Sequence, residues 1–255
     1  MKRLRPPSPF VTGIVVLAVV GGLAVATATG GARWVNTRFP GFLLLRNRVV
    51  ASVSLPGWPV SEVPAAFQAT VVAVGGRTVT TADDVYAQVA TQPPGTPIEY
   101  VFERRGTRFT QTIASRLFTW QDGLLLFGVY LFNGIVFSAI GVGVWMLSPG
   151  RAATRALLSL GLGSGVYALT AIDLYGPHLL FRLHAFAESF LPASYPYLAM
   201  VSPVRRVRVR TAILVSHLPC LALALVYQLR LDDPQRYPAV HELATFFLLV
   251  AGLCL

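Results

Sequence analysis

The chain alternates long apolar runs with short arginine-bearing loops, and one longer stretch breaks that rhythm. A helix that crosses about 30 Å of hydrocarbon at about 1.5 Å per residue needs about 20 apolar residues. Residues 9–29 (PFVTGIVVLAVVGGLAVATAT) reach that length, as do 123–147, 154–174 and 211–229. A further span is expected over 178–201, where Arg182, His184 and Glu188 interrupt the apolar character. A sixth run starts near Leu243 and reaches residue 255, too short to cross, so the chain is expected to be the front part of something longer or a truncated product. A cleaved signal peptide would share the basic start and the small residues Ala26-Thr27-Ala28. The apolar run over 9–29, however, exceeds the roughly 7 to 15 residues of a signal core.

Between residues 30 and 122 charges recur and Pro and Gly punctuate short alternations. Gly41 to Leu45 (GFLLL) and Val49 to Leu55 (VVASVSL) read as short strands, followed by a turn at Pro56-Gly57-Trp58-Pro59. Gln68 to Val74 reads as another strand ending at Gly75-Gly76. Thr81 and Asp84 then have capping-box spacing, and Val85 and Val89 share one helical face. Pro93-Pro94-Gly95 stops that helix, and Ile98 to Arg104 and Arg108 to Ala114 alternate around Arg105-Gly106 as a hairpin.

Composition agrees with the pattern. Apolar residues make up 54% and charged residues 13%, against about 45–50% and 25% in soluble domains, and mean hydropathy is +0.60. An ordinary soluble enzyme is excluded, and the expected fold class is a polytopic α-helical membrane protein of about six spans, the last truncated, with a small α+β insert. The divisions are 1–29, 30–122 and 123–255. The net charge of +10 comes almost wholly from arginine. Lys2, Arg3 and Arg5 precede the first span, Arg151 and Arg155 lie between the second and third, and Arg205, Arg206, Arg208 and Arg210 lie between the fourth and fifth. These clusters fall on one side if every span crosses, so that side is cytoplasmic and the 30–122 insert extracytoplasmic. Arginines at span ends answer to lipid headgroups, which removes nucleic acid as a partner. Cys220 and Cys254 sit in apolar runs and behave as small hydrophobes.

Val71-Val72-Ala73-Val74-Gly75-Gly76-Arg77-Thr78-Val79, the capped helix, Pro94-Gly95-Thr96-Pro97 and the pair of strands around Arg104-Arg105-Gly106 resemble the PDZ domains of bacterial envelope proteins. The resemblance covers residues 39–114, with Gly75 where Asn is usual and Ala69-Thr70 where Gly-Asp opens the strand. It implies a groove that adds a peptide strand to Gly41, Phe42, Leu43 and Leu44 and holds its C-terminal carboxylate, with Ala82 and Tyr86 on the opposite wall. The wider layout of one span, an extracytoplasmic PDZ-like insert and further spans, with Phe118 to Asn133 (FTWQDGLLLFGVYLFN), is similar to the N-terminal sensor region of bacterial membrane histidine kinases. That implies a sensory input module in the bacterial inner membrane whose output domain lies beyond Leu255; the alternative is a membrane-anchored PDZ-type adaptor. The expected partners are the lipid bilayer and protein C-termini or extended peptides, with homodimerisation open.

No catalytic, metal or cofactor constellation emerges from the residues. His241-Glu242 begins like HExxH, but Thr245 occupies the place of the second histidine. Ser216 and His217 are adjacent on one span and are expected to diverge by about 100°. The chemistry-bearing candidates are polar groups within spans, because a charge there costs at least about 2.5 kcal/mol. Glu188 with His184 one turn away on the same face, and Asp173 and Arg182 near the outer interface, admit two readings: Arg182 and Asp173 snorkel to the interface while Glu188 is protonated or paired for packing, or the expected Glu188–His184 pair and its neighbours form a polar cluster that senses a ligand or proton.

Overall fold

The computed structural model describes residues 8–204 and 206–254; the basic start with Lys2, Arg3 and Arg5, together with Arg205 and Leu255, lies outside the described residues. The fold is mostly helical with small antiparallel sheets. Helix α1 (Pro9–Ala32) starts where the Ser8 hydroxyl accepts from the Val11 N–H and proline fills the first turn.

The insert that follows carries β1 (Arg38–Phe39), β2 (Thr70–Val74), β3 (Arg77–Thr78), α2 (Ala82–Ala90), β4 (Pro97–Arg104), β5 (Thr107–Ala114) and β6 (Arg116–Leu117). Four strands form an antiparallel sheet in the order β3-β2-β4-β5, and β1 pairs with β6. Local chemistry sets the turns: Gly75 and Gly76 take φ of 53° and 77°, and Arg105 and Gly106 take 50° and 78°, the doubly left-handed geometry of two-residue hairpins. Helix α2 begins with the expected capping box. The Asp84 carboxylate accepts from the Thr80 and Thr81 N–H groups at 2.8 Å each, and these bonds hold its pKa down at about 2.

The expected strands over 41–45 and 49–55 are a correction. That ribbon has only the isolated bridges Leu44–Val50 and Val49–Thr70, because it turns through left-handed positions at Gly41 and Arg48 and is packed on both faces. Phe42, Leu43, Leu44, Val49 and Val50 are wholly buried.

Helix α3 (Trp120–Gly123) runs through a π-turn at Leu124–Gly128 into α4 (Val129–Leu147) as one continuous apolar helix. Then come α5 (Ala152–Ala171) with a 3-10 extension to Tyr175, α6 (Phe181–Phe190), α7 (Ser194–Val201), α8 (Val209–Arg230) and α9 (Tyr237–Gly252). Four helices are long and apolar enough to cross a membrane: Pro9–Ala32, Trp120–Leu147, Ala152–Tyr175 and Val209–Arg230. Two expectations change. Residues 178–201 are not one helix: α6 and α7 are joined by a 3-10 turn at Leu191–Ala193, where Pro192 cannot donate to the helical ladder. The last apolar run belongs to a helix that starts at Tyr237, because Tyr237 and the partly covered His241 turn inward and lengthen the buried face.

Side-chain pairs show the direction of the broken helix. Thr170 meets His184, Ser159 meets Ser194, and Ala156 packs with Tyr197, so α6 and α7 together run antiparallel down α5. The insert sits on the end of the bundle where α5 ends and α9 begins: Asn47 donates to the Leu231 carbonyl at 2.9 Å and Gln235 to Glu103 at 2.7 Å. A single hydrophobic cluster runs from Phe39 and Trp58 in the insert through Phe118 and Phe127 to Ile172, Tyr227 and Tyr237 in the bundle.

Helices α4 and α5 approach through small residues. A Cβ on Gly161 would lie 2.6 Å from the Phe137 carbonyl oxygen and 2.7 Å from Gly141 Cα, both backbone atoms that yield only if the helices separate. Gly143, on α4, has open space around its missing Cβ. Gly161→Ala should therefore lower the thermal midpoint in detergent, while Gly143→Ala should hold or raise it, since Ala favours a helix by about 1 kcal/mol over Gly. Equal effects of the two substitutions would contradict the close packing.

Candidate functional site

The strongest concentration of buried polar chemistry lies where α6, α8 and α9 converge beneath the insert. Glu188 on α6 is buried. The Tyr227 hydroxyl of α8 donates to its Oε2 at 2.9 Å, and His241 Nδ1 of α9 lies 2.8 Å from its Oε1. Tyr227 and His241 also approach each other at 3.1 Å. An ionised carboxylate only accepts, so this arrangement places a proton on His241 Nδ1 and leaves its other ring nitrogen with a lone pair unless the imidazole is charged.

His184 lies one turn away and is buried, yet its hydrogen bond goes elsewhere: Nδ1 is 3.0 Å from Thr170 Oγ1 on α5. The Thr170 hydroxyl already donates to the Val166 carbonyl at 2.7 Å. A hydroxyl has one proton, so His184 Nδ1 is the donor, and the neutral ring again keeps its lone pair on Nε2. The ring stacks on Tyr167 at 4.7 Å. Both histidines line a cavity of about 150 Å³ with Tyr130, Tyr167 and Tyr237, roofed by Ser52 and Gln68 of the insert. The Gln68 Oε1 is buried without a hydrogen-bond partner. The chamber therefore combines tyrosine rings, the His184 Nε2 acceptor, the Glu188-paired His241 imidazole and one orphaned carbonyl, a set that suits a small polar molecule or a few waters at about 30 Å³ each.

The other two residues expected in this cluster stand apart from it. Asp173 accepts from the Leu180 N–H at 2.6 Å and so shapes the connection between α5 and α6. Arg182 is half-exposed and pairs with Asp232 and Gln228 near the end of α8. The expected Glu188–His184 pair is thus replaced by a Glu188–Tyr227–His241 triad. Tyr227 and His241 were missed as members because sequence spacing shows neighbours along one helix and says nothing about the helix opposite.

The expected peptide edge is brought together but is covered. The Tyr86 hydroxyl accepts the Leu44 N–H at 2.7 Å, which takes up an amide that a peptide strand would need. Phe42, Leu43, Leu44 and Ala82 are buried. Burial pushes the Tyr86 phenol pKa upward, so the hydroxyl stays neutral. Gly41 sits at φ 79° with Pro59 and the Ala114 carbonyl crowding its missing Cβ, so any side chain there is strained whatever its charge.

Two further features refine the sequence reading. Asp122 closes a capping box with Thr119 at the start of α3 and also accepts from the Trp58 indole at 2.9 Å and faces Arg116 at 3.4 Å. Thr119-x-x-Asp122 carried that signal in the sequence. Ser216 and His217, expected to diverge, do meet: Ser216 Oγ is 2.7 Å from His217 Nδ1. Both side chains reach back toward the preceding turn, to the Ala212 and Ile213 carbonyls, and this closes the angle between them. Among the described residues no group of three His, Cys, Asp or Glu is placed to hold a metal ion.

No protein-family model, curated protein or solved structure matches the chain.

The triad makes a thermodynamic prediction. Tyr227→Phe removes one donor from a buried carboxylate and should cost about 1.5–3 kcal/mol. A double-mutant cycle on Glu188→Gln and Tyr227→Phe, read from unfolding in detergent, should give a coupling of at least about 0.5 kcal/mol. The same cycle with Glu188→Gln and Thr170→Val should give close to zero, and equal couplings would show that Glu188 does not distinguish these partners.

Proposed function

We propose that the chain is the sensory input module of a bacterial signal-transduction protein of the histidine-kinase type, held in the inner membrane with its insert outside. The observation that carries this reading is the Glu188–Tyr227–His241 triad, which joins three helices directly beneath the insert. A charged hub of this kind is costly in a membrane and is retained where it does work. A change in its hydrogen bonding alters how α6, α8 and α9 pack, and the continuous core gives the insert a direct path to it.

The insert is read as PDZ-like because its capped helix lies between β3 and β4 and the β4–β5 hairpin closes the sheet. With Tyr86 on the edge amide, it serves as the outer wall of the chamber rather than as an open peptide clamp. In this reading the broken pair α6 and α7 counts as a further crossing, with residues 148–151 and 206–208 cytoplasmic and the insert opposite.

Two experiments test this. In a cysteine-free background, Arg77→Cys should react with an impermeant thiol reagent in intact cells and Arg206→Cys should react only after permeabilisation; the reverse pattern would overturn the orientation. The signalling role is tested by fusing residues 1–255 to a reporter kinase core. Glu188→Gln should leave expression and insertion intact and shift kinase output by about fivefold or more, within the usual range of coupling between sites. Unchanged output would remove Glu188 from signalling and favour an anchored adaptor.

A further inference from the structure

A second and larger cavity, about 670 Å³, opens beside the last turn of α1. Its walls include Trp34, Tyr86 and Pro177, and its charged lining residues are Arg33, Arg38 and Asp83. The wall is aromatic because Trp34 packs edge-on against Tyr86 at 5.1 Å, while the Tyr86 hydroxyl is already engaged by Leu44. The charged groups are available. Among the described residues Arg33 and Asp83 make no side-chain hydrogen bond or ion pair, and Arg38 uses one guanidinium nitrogen on the Ala90 carbonyl at 2.8 Å. All three are exposed.

Position decides what can reach this cavity. Arg33 follows directly on α1, whose 24 residues have membrane-spanning length and apolarity. With α1 as a span and the insert outside, the cavity mouth lies at the headgroup level of the outer leaflet, and exposed apolar side chains such as Val19 and Val25 on α1 face the acyl region below. A lipid can enter without leaving the bilayer. The volume lies within the range of small-molecule sites and has room for a headgroup and its glycerol.

We propose that this cavity seats one outer-leaflet glycerophospholipid whose headgroup carries both a phosphodiester and a primary ammonium, as in phosphatidylethanolamine. Arg33 and Arg38 take the phosphate oxygens, a pairing that guanidinium geometry favours, and Asp83 takes the ammonium. The mixed charge separates this ligand from its competitors. A peptide C-terminal carboxylate or an anionic headgroup would satisfy the arginines and leave Asp83 facing like charge. The inference rests on the reading of α1 as a membrane span. It would also make the lipid a contact shared by α1, α2 and the connection after α5, and so a ligand of the same module that holds the triad.

The test uses the whole chain, purified in detergent and offered equal amounts of phosphatidylethanolamine, phosphatidylglycerol and phosphatidylcholine with matched acyl chains. Native mass spectrometry counts the lipid retained. The parent should keep one phosphatidylethanolamine in preference to the others. Arg33→Gln should lower that retention about fivefold or more, in line with the loss of a charge-assisted hydrogen bond. Asp83→Asn should erase the preference over phosphatidylglycerol, and Arg210→Gln, outside the cavity, should change nothing. Equal retention of all three lipids by the parent, or undiminished retention by Arg33→Gln at an unchanged thermal midpoint, would overturn the proposal. Displacement of the lipid by a peptide with a free C-terminus, but not by its amidated form, would overturn it in favour of a peptide site. Liposome flotation separates the two levels: a chain that does not float refutes membrane embedding, whereas a chain that floats without lipid preference refutes only the lipid site.

Discussion

A carboxylate shut away from water must be met by donors from the protein, and Glu188 imposes that requirement on the whole helical end of this molecule. Its own helix supplies neither of the two partners; they come from Tyr227 on α8 and His241 on α9. Three helices must therefore keep a common register for one side chain to be satisfied. The demand accounts for the inward-facing Tyr237 and His241 at the start of α9, ahead of its apolar end. It also explains why α6 is held against α8 although the chain breaks at Leu191–Ala193 just below.

The insert is joined to this end by several kinds of contact at once. Asp122 caps α3 and, through Trp58 and Arg116, grips the insert with the same carboxylate. The aromatic chain Trp58, Phe118, Phe127 and Tyr175 carries packing across the junction. Asn47 and Gln235 add polar ties. Close-packed interiors transmit displacement rather than absorb it, so a shift of the insert reaches the roof of the histidine chamber without a dedicated linker. Gln68, with its left-handed φ and orphaned carbonyl oxygen, sits at that roof beside Ser52, and the two are the insert's polar contribution to the chamber.

The chamber and the cavity beside α1 differ in the chemistry of their walls. The inner one is small and lined by imidazole and phenol groups, with the Glu188 carboxylate behind them. The outer one is larger and lies beside the last turn of α1, with charges of both signs on aromatic walls. Tyr86 borders the outer one and its hydroxyl accepts the Leu44 N–H, so one side chain ties that cavity to the buried ribbon.

Much of the architecture was legible in the sequence because its causes are local. Runs of apolar residues marked the long helices, Thr81 with Asp84 marked the start of α2, and Gly75-Gly76 and Arg105-Gly106 marked the hairpin turns. These depend on backbone sterics and on partners within four residues. The ribbon over 41–55 has strand-like alternation, but only its packing on both faces decides whether a ladder forms. Glu188 and His184 were legible as costly polar groups, since hydropathy alone exposes them. Which groups satisfy them was not, and neither was the separation of Asp173 and Arg182 from the cluster. A hydrogen bond between helices depends on crossing angle and depth, and these arise from how complete surfaces pack; tertiary structure alone could bring Tyr227 and His241 to Glu188.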